Sequence, residues 1–85
     1  MSLSTLSNEQ QRIINLLYNE WQARPDGIGL HEKALSEQSG LDMTSLVKEV
    51  QRLKAKGLVD NGYGADDDRL GHIWLTDLGR ALREE

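Results

Sequence analysis

The chain has 85 residues, no cysteine and a net charge of −4. That suits one small domain and excludes disulfides, thiolate metal sites and thiol catalysis. It contains neither a membrane span of ~20 apolar residues nor the basic and apolar regions of a signal peptide, so a cytoplasmic domain over residues 1–85, with its core at about 7–82, is expected.

Ser7 followed by Gln10 fits a capping box, in which each side chain bonds the other residue's backbone amide. The helix it opens is predicted to run to about Trp21. Ile13, Ile14, Leu17 and Trp21 form its buried face, and Leu6 staples its entry. Gln22 to Gly29 holds the only proline and two of the eight glycines, and reads as a loop. Ile28 to Leu30 suits a very short strand. A second helix is predicted from about His31 to Gln38 with Ala34 and Leu35 inward, followed by a tight turn at Ser39-Gly40-Leu41.

The clearest pattern lies between Leu41 and Val59. Asp42 is a natural N-cap. Met43, Leu46, Val47, Val50 and Leu53 recur at helical spacing and make one apolar stripe. Gly57 suits the helix end, and Lys54 and Lys56 fall in the last turn, where the helix dipole favours cations. At about 100° per residue, Thr44, Ser45, Lys48 and Arg52 lie opposite Val50. From Asp42 to Gly57 four cations (Lys48, Arg52, Lys54, Lys56) face two anions (Asp42, Glu49), a local +2 that leaves −6 for the rest. One basic face on an acidic body is compatible with DNA binding.

Leu58-Val59-Asp60 is a strand candidate, and the polar stretch NGYGADDDR from Asn61 to Arg69 is rich in turn residues. From Leu70 to Leu75, Ile73 and Leu75 alternate with His72 and Trp74, which suits a half-buried strand and completes a β-hairpin. Thr76 or Asp77 caps a last helix, whose Leu78, Ala81 and Leu82 are predicted to face the core.

Several short phrases recur together in one known family. They are Ala34-Leu35-Ser36, the turn Ser39-Gly40-Leu41, the spacing of Leu46, Val50 and Leu53, and the exit Lys56-Gly57-Leu58-Val59. The last is Leu75-Thr76-Asp77-Leu78-Gly79-Arg80-Ala81-Leu82, similar to a Leu-Thr-x-x-Gly-x-x-Leu phrase. In these phrases and their order the chain resembles the winged helix-turn-helix superfamily, in particular MarR-like repressors and related small bacterial and phage-borne domains. The resemblance implies an α+β winged helix-turn-helix, with a three-helix core, a two- or three-stranded β wing and a short C-terminal helix. Two departures stand out. The segment from Asp60 to Arg69 sums to −3 where such wings are usually basic, and only about ten residues follow Leu75 where MarR-like proteins dimerise through long terminal helices.

The resemblance also implies a function: a transcriptional regulator without a cofactor, monomeric or homodimeric, that reads double-stranded DNA with the helix at about 42–56. Thr44 and Ser45 would bond phosphate or a base edge from the helix start. Lys48 and Arg52 lie further along that face, where Arg can grip guanine O6 and N7; Gln51, at its edge, would read adenine. Lys33, beside His31, opens the second helix and would touch the backbone, and Arg69 would reach a minor-groove phosphate. Plainer explanations stand beside each: a solvated helix face balanced by Glu49, an ordinary helix start, and an ion pair of Arg69 with Asp66, Asp67 or Asp68.

Other constellations carry less. Three adjacent carboxylates diverge, and Asp66–Asp68 with His72 lack calcium or zinc ligand spacing. No nucleophile motif or glycine-rich phosphate loop is present, so no enzyme is expected. Trp21 reads as core, Trp74 as a contact packed within the monomer or at an interface, and Tyr63 as a wing-tip contact or a solvated side chain. The acidic wing and Trp74 support the alternative function, a protein-binding adaptor of the same fold.

Overall fold

The capping box at Ser7 is formed. Ser7 Oγ accepts the Gln10 amide N–H at 3.2 Å, and Gln10 Oε1 accepts the Ser7 amide at 3.3 Å. In the computed structural model, which describes residues 3–62 and 69–85, this box opens α1 (Asn8–Ala23) after one 3-10 turn at Leu3–Thr5. β1 (Leu30–His31), α2 (Glu32–Ser39), α3 (Met43–Ala55), β2 (Val59–Asn61), β3 (His72–Leu75) and α4 (Asp77–Glu84) follow in order. The described residues thus form an α+β arrangement of four α-helices and a three-stranded antiparallel sheet.

β3 is the central strand of the sheet, with order β1-β3-β2. Leu30 pairs with Ile73 and His31 with His72 on one side, and Val59 pairs with Leu75 and Asp60 with Trp74 on the other. Period-two alternation sends Ile73 and Leu75 inward and leaves His72 and Trp74 half-exposed, as predicted. The core gathers Ile13, Ile14 and Leu17 of α1, Leu35 of α2 and Leu46, Val50 and Leu53 of α3 against Val59, Leu70, Ile73 and Leu75. Leu6 joins it, and so does Tyr18, which the stripe read from the sequence had passed over.

α3 ends as its sequence indicates. Gly57 takes φ +78°, the Gly57 amide bonds the Lys54 carbonyl at 2.9 Å, and the Leu58 amide returns to Leu53 at 3.1 Å. These two bonds satisfy carbonyls that the last helical turn leaves open, in the geometry glycine reaches without steric cost.

Several expectations need correction. α1 runs two residues past Trp21, and Trp21 is half-buried rather than core. The first strand is Leu30–His31, not Ile28–Leu30, and Ile28 is 63% exposed. The cause is Gly29, at φ +84° and packed so tightly on β3 that a Cβ there would run into the Ile73 carbonyl. The second helix begins one residue after His31, which caps it instead. β2 likewise begins after Leu58. Met43 leaves the apolar stripe for solvent, and Val47 sits at its edge. Leu78 and Ala81 are exposed rather than inward. Gly79 decides that rotation: α4 approaches so closely there that a Cβ would meet the Leu58 carbonyl, so Gly79 and Leu82 face inward. Residues 63–68, expected from the sequence as the wing tip and including Tyr63 and Asp66 to Asp68, lie outside the described residues. No helix among the described residues is long and apolar enough to cross a membrane.

Candidate functional site

Because α3 buries Leu46, Val50 and Leu53, its opposite face is left to solvent. Thr44, Lys48, Gln51 and Arg52 are exposed there, and Ser45 is half-buried at the rim. Asp42 caps the helix by accepting the Ser45 amide at 2.8 Å. That bond, aided by the Ser45 hydroxyl and the Thr44 amide, holds the Asp42 carboxyl below its ordinary value of 3.8. The caps and the turn fix the orientation of this face. Ser36 Oγ donates to the Leu41 carbonyl, and Arg12 Nη1 donates to the Ser39 carbonyl at 2.7 Å, so α1 clamps the end of α2 just ahead of α3.

The cations on α3 are not equivalent. Lys48 and Lys56 form no ion pair among the described residues. Lys54 donates to Asn61 Oδ1 at 2.8 Å and lies 3.5 Å from Asp60, which ties the helix exit to β2. Arg52 Nη1 lies 3.3 Å from Glu49 Oε2, one turn back. Glu49 in turn accepts a bond from Gln10 Nε2 at 3.0 Å, so the network Ser7–Gln10–Glu49–Arg52 runs from the start of α1 to the outer face of α3.

The remaining expected positions gather elsewhere. Lys33 is exposed at the start of α2, where the His31 Nδ1 cap accepts its amide at 3.2 Å. Its neighbour Glu32 accepts the amides of Leu70 and Gly71 at 3.4 and 3.3 Å, and its own amide bonds the Gly71 carbonyl. These bonds bring exposed Arg69 and Lys33 to the base of the hairpin. The Asn61 side chain closes the same base by donating to the Leu70 carbonyl at 3.0 Å. His31 and His72, directly paired across the strands, meet edge to face with centroids 5.1 Å apart. Among the described residues no group of three or more His, Asp or Glu side chains is placed to hold a metal ion.

A second surface was not anticipated as a unit. Trp21, Pro25, Gly27, Ile28, Trp74, Leu75 and Arg80 line an open cleft of about 380 Å³. Arg80 lies 4.9 Å over the Trp21 ring and donates to the Leu75 carbonyl and to Asp77. The sequence pointed to two residues without showing the contact between them. Gln10 appeared only as half of a capping box, yet it is buried and bonded to α3; Glu49 appeared only as a solubilising charge. The available signal was that Gln10 sits one turn before Ile13 and Ile14, beside the stripe that packs on α3. No protein-family model, curated protein or solved structure matches the chain.

Proposed function

We propose that this chain is a winged helix-turn-helix protein, similar to MarR-like regulators, that binds double-stranded DNA through the outer face of α3. The observation that carries this reading is the division of α3 itself. Leu46, Val50 and Leu53 are fully buried, and the opposite side exposes short polar residues, Lys48, Gln51 and Arg52, on a helix capped and clamped at its N-terminal end. The major groove of B-DNA, ~12 Å wide, admits a helix. In this reading Lys48 holds a phosphate, while Arg52 and Gln51 meet base edges. The short connection Gly40-Leu41-Asp42 between α2 and α3, and the antiparallel pair β2–β3 as a wing, support the assignment. Lys33 and Arg69 would serve the flanking phosphates.

The test is an amide-shift NMR titration with a mixed-sequence duplex at low and then higher salt. Salt-sensitive shifts concentrated from Thr44 to Arg52 support the reading; their absence on a folded sample overturns it. Lys48→Ala is expected to weaken binding and flatten the slope of affinity against salt by about 0.9.

The Trp21–Trp74 cleft favours a second reading, an adaptor that binds protein. Under that reading a purified partner is captured by the wild type and by Lys48→Ala, and is lost on Trp74→Ala.

A further inference from the structure

We propose that Glu49 is an internal counter-ion that cancels the attraction of Arg52 for phosphate while leaving it free to read a base edge. The inference rests on the DNA-binding reading of α3. An exposed ion pair usually contributes little, because two long side chains must both be ordered to make it. Here one partner is ordered already. The Glu49 side chain is 16% exposed against 55% for Arg52, and Gln10 holds its carboxylate from across the helix interface. Gln10 is itself buried and fixed at its other end, since its Oε1 accepts the Ser7 amide. The carboxylate is therefore part of the fixed structure, and Arg52 moves to meet it.

Two consequences follow for a duplex approaching α3. A phosphate that drew Arg52 away would exchange one anion for another, and it would come to rest beside a carboxylate that cannot leave. Arg52 then adds almost nothing to sequence-independent attraction, in contrast to Lys48, which forms no ion pair among the described residues. A guanine edge is different, because O6 and N7 are neutral acceptors. The contacts to Glu49 use Nη1 of Arg52, and a guanidinium has five N–H donors in a rigid fork. Nη2 and Nε are left to make a bidentate contact, with Glu49 bracing the far side of the group. Glu49 thus determines specificity by taking the phosphate contribution out of Arg52, and Gln10 is its positioning residue.

The experiment compares wild type, Glu49→Gln, Arg52→Ala and the double variant by fluorescence anisotropy with a mixed-sequence duplex across a salt series. Glu49→Gln retains the oxygen that accepts from Gln10 and removes the charge, and matching thermal melts verify that the fold is kept. Its affinity is expected to rise about fivefold at low salt, and its salt slope to steepen by about 0.9. Measured against Arg52→Ala alone, the double variant should show neither gain. A gain over Arg52→Ala in the double variant reports general charge reduction and overturns the proposal. So does an unchanged Glu49→Gln affinity in a protein that binds DNA and is weakened by Lys48→Ala; the DNA reading then stands alone. No binding by any of the four overturns that reading, and this proposal with it.

Discussion

The outer face of α3 and the Trp21–Trp74 cleft are both open to solvent, but they are made in different ways. The α3 face is one side of a single helix, left over when Leu46, Val50 and Leu53 turn inward, and every residue on it lies within nine positions of the others. The cleft is assembled from the end of α1, the following loop, the last two residues of β3 and Arg80 of α4. No one of those segments contains it. A surface built on one helix survives changes anywhere that leave the helix packed, whereas a surface built on four segments depends on each close approach that brings them together.

That contrast can be broken most severely at Gly29. Ala at this position must adopt φ +84° and place its Cβ against the Ile73 carbonyl, at an expected cost of about 3 kcal/mol or more. Urea melts measure the loss, and amide shifts in the surviving folded fraction should concentrate in the cleft and spare Thr44 to Arg52. A cost below about 1 kcal/mol would show that β1 yields easily and that the close approach is not what forms the cleft. Gly79→Ala tests the other wall. Pushing α4 off Leu58 should cost about 1–3 kcal/mol and move Arg80 relative to Trp21, which tryptophan fluorescence would detect. Thr76→Ala is expected to cost about 1 kcal/mol in thermal melts. It removes the α4 cap at Gly79 and the hydroxyl bond to the Gly57 carbonyl.

The smallest effects are titrations, one near each surface. Asp42 has a lowered folded value, so its contribution to stability is complete above its unfolded value of 3.8 and is lost as the pH falls through the folded one. Its carboxyl shift, followed by NMR, should titrate below that value in the native protein. Tyr18 lies at the α1–α4 contact and donates its hydroxyl to Glu84 at 2.8 Å. This bond, with burial, raises its value above 10.0. Its contribution is present below 10.0 and is lost as the pH rises through the folded value. Glu84→Ala, which removes the acceptor, should return the Tyr18 ring titration toward 10.0; no movement would mean that α4 does not hold Tyr18 as described.

Much of the α3 face was legible in the sequence, because helical periodicity is a local property and the buried stripe defines the exposed one. Asp42, Gly57, Ser7 and Thr76 could be assigned for the same reason, since a cap needs only its own first or last turn. The α+β order of elements and the β2–β3 hairpin followed from alternation and turn residues. What the sequence did not reveal was the state of the charges on that face. Arg52 and Lys48 look alike in the chain, and Glu49 looks like an ordinary neighbour. Gln10, 39 positions away from Glu49, makes the difference by entering the α1–α3 contact. The rotation of α4 and the start of β1 were equally hidden. Leu78 and Ala81 fit an inward stripe and Ile28 fits a strand, until Gly79 and Gly29 bring two backbones too close for any side chain. Periodicity determines which side of an element is apolar. Contacts between distant backbones decide which way the short elements turn, and which charges are left without a partner.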